Sequence, residues 1–476
     1  MMKRVLFLFL ALGIAASCNK DFGDINVDKK QPSKVPAGSL FASATVNLAD
    51  AMTSTNVNNN IYRMLAQQWT ETTYTDEANY DLVTRNIPQN FWNSIFTGVL
   101  KNLDESKKLI AEAGETAEVA KNQEACIEIL NVYTYAVLVN NFGDIPYSQA
   151  LDVINVYPKY DNAAEVYADL GRRLDQAISN IDAGASGFGS SDLLMHDDMA
   201  AWKTFGNSLK LRLGIILADH DAAKAKQMVE AAAAGAISSN AGNVVFQYLS
   251  NPPYTNPVWD DLVQSGRKDF VAANTLVDAM KAISDPRVPA YFTTDASGTD
   301  YVGGIYAASN NYATYSKPAE ALTAPDYGST LFDYAEVRFI LAEAAERGWS
   351  VGGTAAEHYE AAIRASMEQW GVSGADADTY LARTDVAYAT ATGDWKQKIG
   401  TQKWIALYNR GFDAWTEWRR LDYPILNVPV GKTYADIPRR LTYPVQEQNL
   451  NKSNYTAAAS AIGGDLVQTR LFWDKQ

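Results

Sequence analysis

The sequence predicts a mainly α protein, one large domain of antiparallel helix pairs with tetratricopeptide-like units and an irregular, loop-rich face. Three observations carry this prediction. Apolar residues recur at spacings of three and four over long stretches, as one-sided helices require. They make up 47% of the 476 residues while charged residues make up 20%, a balance that supports a large core and argues against disorder or a fibrous chain. A segment of about 240–330, rich in Pro, Gly and Tyr, interrupts the helical pattern and favours turns and loops.

Residues 1–17 read as a lipoprotein signal peptide. Lys3 and Arg4 precede an apolar run from Val5 to Ala16, shorter than the roughly twenty residues a membrane-spanning helix needs. Small residues Ala15, Ala16 and Ser17 then lead into Cys18, which places a thiol at the cleavage junction and makes it the expected lipidation site. Residues 18–38 form the lipidated N-terminus and a polar tether with Gly23 and Pro32; residues 39–476 form the helical domain. The membrane is reached through the lipid anchor only, since no later segment approaches eighteen uninterrupted apolar residues.

Within the domain, helices are expected at about Leu40–Asp50, Ile61–Trp69, Phe91–Ala113 and Ala120–Val139. The spacing of Ala163, Tyr167 and Leu170 marks another. Trp202, Phe205, Leu209, Leu213 and Ile216 share one face, with Lys203 and Lys210 pointing away. Further helices are expected at Ala222–Ala234, Asn274–Ala282 and Lys396–Arg420. Phe332, Ala335, Phe339 and Ala342 form one more face, stopped by Gly348, and a partner helix starts near Thr354. In that partner Ala355, Tyr359 and Ala362 carry the small–aromatic–small spacing of a tetratricopeptide second helix. The 240–330 insertion is too long to be structureless within a domain, so short helices and hairpins are expected inside it.

Several chemistries are argued against. A net charge of −14 repels phosphate backbones, so nucleic acid is not an expected partner. His196, His220 and His358 are isolated and lack metal-site spacing, and Asp376-Ala377-Asp378 reads as a solvated turn because the remaining EF-hand positions are missing. No nucleophile elbow, phosphate loop or dinucleotide fingerprint occurs, and Cys126 lies on an apolar helix as packing. No catalytic residue, metal or cofactor is therefore predicted. Glu336, Glu343 and Glu346 read as ordinary charged helix positions, although paired carboxylates for glycoside hydrolysis depend on a spatial separation that sequence does not report.

Short stretches in a fixed order then carry a resemblance. Asn141-Phe142-Gly143-Asp144-Ile145-Pro146-Tyr147 reads as a helix stop, with Gly143 as left-handed cap and Ile145 forced out of helical geometry by Pro146. Pro158-Lys159-Tyr160-Asp161 leads into a helix with Asp161 as expected N-cap. Trp202-Lys203 with Asn207-Ser208-Leu209-Lys210-Leu211-Arg212 follows, then Ser284-Asp285-Pro286-Arg287, Ala342-Glu343-Ala344, Gln402-Lys403-Trp404, Trp418-Arg419-Arg420 to Pro424, Ile437-Pro438-Arg439-Arg440-Leu441 with Tyr443-Pro444, and Trp473-Asp474. In this order they resemble the SusD/RagB family of nutrient-binding outer-membrane lipoproteins of Bacteroidetes. The resemblance implies a SusD-like α/α superhelix, a place on the cell exterior, and a SusC-like TonB-dependent outer-membrane transporter as partner. It also implies a non-enzymatic role: capture of an oligosaccharide or, in some branches, a peptide before import.

Sugar capture needs flat aromatic faces for pyranose C–H groups and polar groups for the hydroxyls. The expected ligand-binding residues are Trp259, Tyr301, Tyr306, Tyr312 and Tyr315 from the insertion, joined by Tyr74, Tyr80 and Arg85 from the polar loop after Trp69. Trp69 and Trp92 are expected in the core. The alternatives are a peptide-binding RagB-like lipoprotein and a glycoside hydrolase on a helical scaffold.

Overall fold

Helices in this chain begin where a side chain can satisfy their free N–H groups. In the computed structural model, which describes residues 35–475, Thr116 caps the helix Ala117–Phe142, Asp198 caps Met199–Ile216, Asp333 caps Tyr334–Glu346 and Asp394 caps Trp395–Ala406. Thr354 and Glu357 close a reciprocal capping box on Ala355–Gln369. The expected lipidation site Cys18 lies outside the described residues. Among those residues no helix is long and apolar enough to cross a membrane.

The long helices in chain order are α1 (Ala37–Thr53), α2 (Lys101–Ala113), α3 (Ala117–Phe142), α4 (Ala163–Asn180), α5 (Met199–Ile216), α6 (Ala222–Ala232), α7 (Tyr334–Glu346), α8 (Ala355–Gln369), α9 (Trp395–Ala406) and α10 (Gly411–Leu421). They pack as pairs: α1 with α2, α3 with α4, α5 with α6, and α7 with α8. The fold is thus mainly helical and paired. In the α7–α8 pair Tyr359 and Ala362 are buried against Phe339 and Ala342, the close approach that small residues permit. Gly348 ends α7 with φ +74°, which glycine adopts without a Cβ penalty. The second half of α3, Ile127–Phe142, is buried on nearly every side, so it shows no one-sided pattern and serves as the axis of the core.

Several of the resemblance-bearing motifs, through Arg212, Arg287, Glu343 and Arg420, enter a buried ionic lattice. Arg212 on α5 donates from Nε and Nη2 to the two carboxylate oxygens of Glu336 on α7 at 2.6 and 2.7 Å. Arg410, just before α10, donates to Glu336 at 2.5 Å, Asp333 at 2.9 Å and Asp413 at 2.6 Å. A second cluster joins Arg420 to both oxygens of Glu343 at 2.5 Å and to Glu417 at 2.6 Å, with Lys403 3.0 Å from Glu417. Arg287 closes a third on Asp285, Ser366 and Gln402. All of these charges are buried, and a buried charge is tolerated only when paired and hydrogen-bonded. Glu336 and Glu343 are therefore interior ties between helices, a correction to their reading as ordinary helix positions.

Four other expectations are corrected. The helix expected at Ile61–Trp69 is one short turn, Tyr62–Leu65, followed by strand β1 (Trp69–Glu71); tertiary pairing wins over local spacing. The helix expected at Lys396–Arg420 divides into α9 and α10. Asn409 takes φ +66° between them, and a Cβ on Gly411 would fall 2.4 Å from the Arg63 amide nitrogen. Asn162, and not Asp161, caps α4, because Asp161 turns its carboxylate to Ser148. Asp376-Ala377-Asp378 forms part of a helix, Gly374–Leu381, capped by Ser373.

Three two-stranded ribbons hold the loops. β2 (Ile145–Pro146) pairs with β3 (Tyr160–Asp161), and β4 (Val244–Phe246) pairs with β6 (Ser329–Phe332). β1 pairs antiparallel with β5 (Phe270–Ala272) in the register Trp69–Ala272, Thr70–Val271 and Glu71–Phe270. The 240–330 segment thus contains short helices, including Asn274–Ala282 and Val288–Tyr291, and strands that tie it to both flanks.

Candidate ligand site

The β1–β5 ribbon extends one step beyond its strands, since Thr72 donates from its amide to the Asp269 carbonyl at 2.9 Å and from its hydroxyl to the Lys268 carbonyl at 2.6 Å. At this end the chain opens a cavity of about 420 Å³ walled by Glu71, Tyr74, Arg85, Arg267, Asp269 and Phe270. That volume is of the order expected for a small-ligand pocket, roughly 300–1,000 Å³.

The 303–310 segment braces the ribbon from behind. Asn310 donates to the Thr72 carbonyl from its amide at 2.7 Å and to the Glu71 carbonyl from its side chain at 3.0 Å. Ser309 donates to Thr72 and the Ala307 amide to the Thr70 hydroxyl. A Cβ on Gly303 would fall 2.4 Å from Asn274 Cα, so only glycine allows this approach. Asn79 anchors the 72–86 loop by donating to the Ala307 carbonyl at 2.8 Å.

A pair of carboxyls lies under the loop. Glu77 is fully buried and forms an ion pair with Arg85 Nε; it fixes the guanidinium at the cavity wall. Glu71 accepts from the Ala78 amide at 3.0 Å. Burial, together with a hydrogen bond to Glu77, pushes the Glu71 carboxyl up to about 9. This favours the protonated form, with its O–H turned to Glu77. Because its folded value is raised, its contribution to stability is complete below the ordinary carboxyl value of 4.5 and is lost as pH rises toward about 9. Glu71→Gln keeps the neutral form, and the melting temperature of this variant, followed by calorimetry from pH 5 to 9, is expected to fall less with pH than that of the wild type.

The expected ligand residues distribute unevenly. Tyr74, 69% exposed, and Arg85 line the cavity. Tyr80 is half-buried with φ +72° and supports the loop from within. Tyr306 is only 5% exposed, packs with Ala78 and Ala273, and donates its hydroxyl to the Met64 carbonyl at 3.0 Å. Its ring lies beneath the surface, where the position of its neighbours in sequence had suggested a platform. Tyr312 is half-buried beside the cavity segment, with Lys268 Nζ 5.9 Å and Lys317 Nζ 5.1 Å from its ring centre. Trp259, on the short helix Pro257–Trp259, and Tyr301 and Tyr315 are half-buried and lie off the cavity wall. Trp69 and Trp92 are in the core.

Sequence reasoning missed Glu71, Arg267, Asp269 and Phe270. The one available signal was the abrupt change from Arg267-Lys268-Asp269 to the apolar Phe270-Val271-Ala272, a charged tip ahead of a buried strand. Among the described residues no group of three or more His, Cys, Asp or Glu side chains is arranged to hold a metal ion.

Comparison with known proteins follows the same lines. The family model SusD-like, described as starch-binding and associating with the outer membrane, matches residues 29–444. A search of curated proteins returned no match. Among solved structures, a chitin-binding SusD homolog from Flavobacterium johnsoniae is 27% identical with a TM-score of 0.80, covering 92% of this chain and 98% of that one. SusD homologs from Bacteroides uniformis and Bacteroides thetaiotaomicron are 26% and 25% identical, with TM-scores of 0.76 and 0.78; they cover 92% and 93% of this chain, which in turn spans 99% and 100% of theirs. With a family match over most of its length and an overall fold close to those structures, the chain belongs to the SusD-like family.

Proposed function

We propose that the protein is a non-enzymatic surface lipoprotein that captures a glycan in the Tyr74–Arg85 cavity and delivers it to a SusC-like TonB-dependent outer-membrane transporter. The observation that carries this reading is the combination in one cavity of an exposed aromatic face with fixed polar groups. Tyr74 offers its ring to pyranose C–H groups, while Arg85 and Arg267 donate to ring and substituent oxygens and Asp269 accepts from hydroxyls. Tyr312, whose ring centre lies 5.9 Å from Lys268 Nζ, is proposed to extend the surface for a longer chain. Trp259, Tyr301 and Tyr315 are proposed as outer contacts, with Tyr80 and Tyr306 as supports of the loops.

A lipid on Cys18, with the polar 18–38 segment as tether, would hold this body, residues 39–476, at the membrane surface. The chitin-binding relative and the starch-binding description of the family favour a neutral oligosaccharide over a peptide. A non-enzymatic role is supported by the raised Glu71 carboxyl, whose hydrogen bond to Glu77 turns it to a structural partner and away from a substrate.

Calorimetric titration with N-acetylglucosamine and glucose oligosaccharides tests the reading. Tyr74→Ala is expected to weaken binding about five- to tenfold, the loss of an aromatic contact of about 1 kcal/mol. Its melting temperature should stay unchanged, because the ring is exposed. Equal affinity of the variant and the wild type would remove the site, and shortening of the oligosaccharide during incubation would replace capture by hydrolysis.

A further inference from the structure

A second cavity lies on the other side of the turn that carries Arg85. It encloses about 370 Å³ between the 82–89 segment and the C-terminal segment that includes Val445–Leu450. Arg85 belongs to the wall of the first cavity and Asn86, the next residue, to the wall of the second. Asn86 takes the left-handed conformation, φ +53° and ψ +35°, so the two consecutive side chains serve opposite sides of one turn, with Cα atoms about 3.8 Å apart.

The lining of the second cavity has the same mixed chemistry as the first. Val83 and Val445 form an apolar rim, 67% and 46% exposed, above Pro88. Tyr455 contributes a half-buried ring, edge-on to the buried Tyr443 ring at 6.0 Å. Asp465 uses Oδ1 for Arg440 at 2.5 Å and for the Tyr443 amide at 2.9 Å. Its Oδ2 has one long contact, 3.3 Å from the Tyr455 hydroxyl, which leaves acceptor capacity toward the opening. Among the described residues the Gln448 carboxamide has no hydrogen-bond partner. An aromatic face, exposed aliphatic edges, an unused amide and a carboxylate with a spare lone pair suit a ring that is apolar on its faces and hydroxylated at its edge.

We propose that this cavity is a second carbohydrate subsite, which takes a further pyranose of the same oligosaccharide whose other units occupy the Tyr74–Arg85 cavity, the chain crossing over the Arg85–Asn86 turn. The inference rests on the glycan reading above and adds a property to it: affinity rises with chain length because one ligand engages both sides of the turn at once.

The test is calorimetric titration of the soluble full-length domain with N-acetylglucosamine oligosaccharides, and in parallel glucose oligosaccharides, from the disaccharide to the hexasaccharide. The double variant Gln448→Ala, Tyr455→Ala is expected to bind the disaccharide as the wild type does and the hexasaccharide about tenfold more weakly. Val445→Asp, an exposed change at the rim, is expected to give the same selective loss, which guards against a folding defect in the double variant. Wild-type hexasaccharide affinity retained in both variants, or affinity of the wild type independent of length, would overturn the second subsite. Absence of binding by the wild type in both series would instead remove the glycan reading itself, and the subsite with it.

Discussion

Glu336→Gln is expected to destabilise the protein by about 3–5 kcal/mol, the usual effect of removing one partner from a buried ion pair. The carboxylate of Glu336 receives Arg212 through both oxygens and Arg410 through one. A neutral amide leaves two guanidinium groups facing each other, with only Asp333 and Asp413 to balance them. Burial would raise the Glu336 carboxyl, but Arg212 and then Arg410 outweigh it and hold it at about 2. The folded value is depressed, so this contribution is present above the ordinary 4.5 and is lost as pH falls toward 2. Urea unfolding should therefore show a large gap between wild type and variant at pH 7 that narrows below pH 4. A gap of under 1 kcal/mol at pH 7 would mean that the lattice is not a stabilising tie.

Cys18→Ala is expected to move the protein from the membrane to the soluble fraction nearly completely. Each buried methylene of an acyl chain contributes about 0.8 kcal/mol, and two or more chains give stable attachment where one gives only marginal binding. Among the described residues no helix offers a spanning alternative. Centrifugal fractionation, with mass spectrometry of the N-terminal peptide, checks both location and acylation. A variant that remains membrane-bound in cells lacking the proposed transporter partner would show that the anchor lies elsewhere.

Much of the helical body could be read from residue spacing, because a helix with one buried face writes its period into the chain. The Trp202–Ile216 stretch and the α7–α8 pair are examples. The reading failed where tertiary partners decided. Ile61–Trp69 has helical spacing, yet Trp69 takes its backbone partner from Ala272, and no local pattern reports that. The ionic motifs were visible as ordered short matches, but their physical role as buried ties was not, since a sequence does not say which arginine meets which glutamate.

The candidate site was legible in part. An exposed Tyr74 and a nearby Arg85 followed from a polar loop after a core tryptophan. Tyr306 looked equivalent to Tyr312 in sequence, and only the close approach at Gly303 and the hydroxyl contact to Met64 distinguish them. The charged tip at Arg267 and Asp269 could be seen ahead of an apolar strand, but its place at the cavity could not, because it is set by a strand pairing across the chain.

The β1–β5 ribbon also sets a schedule for maturation. Thr72 and Lys268, which meet in it, stand 196 positions apart, and the 303–310 brace comes later still. A chain that emerges N-terminus first can assemble its early helices well before this cavity exists. A chain cut short before residue 267 would therefore keep helices α1 to α6 and lack the wall that Arg267, Asp269 and Phe270 supply.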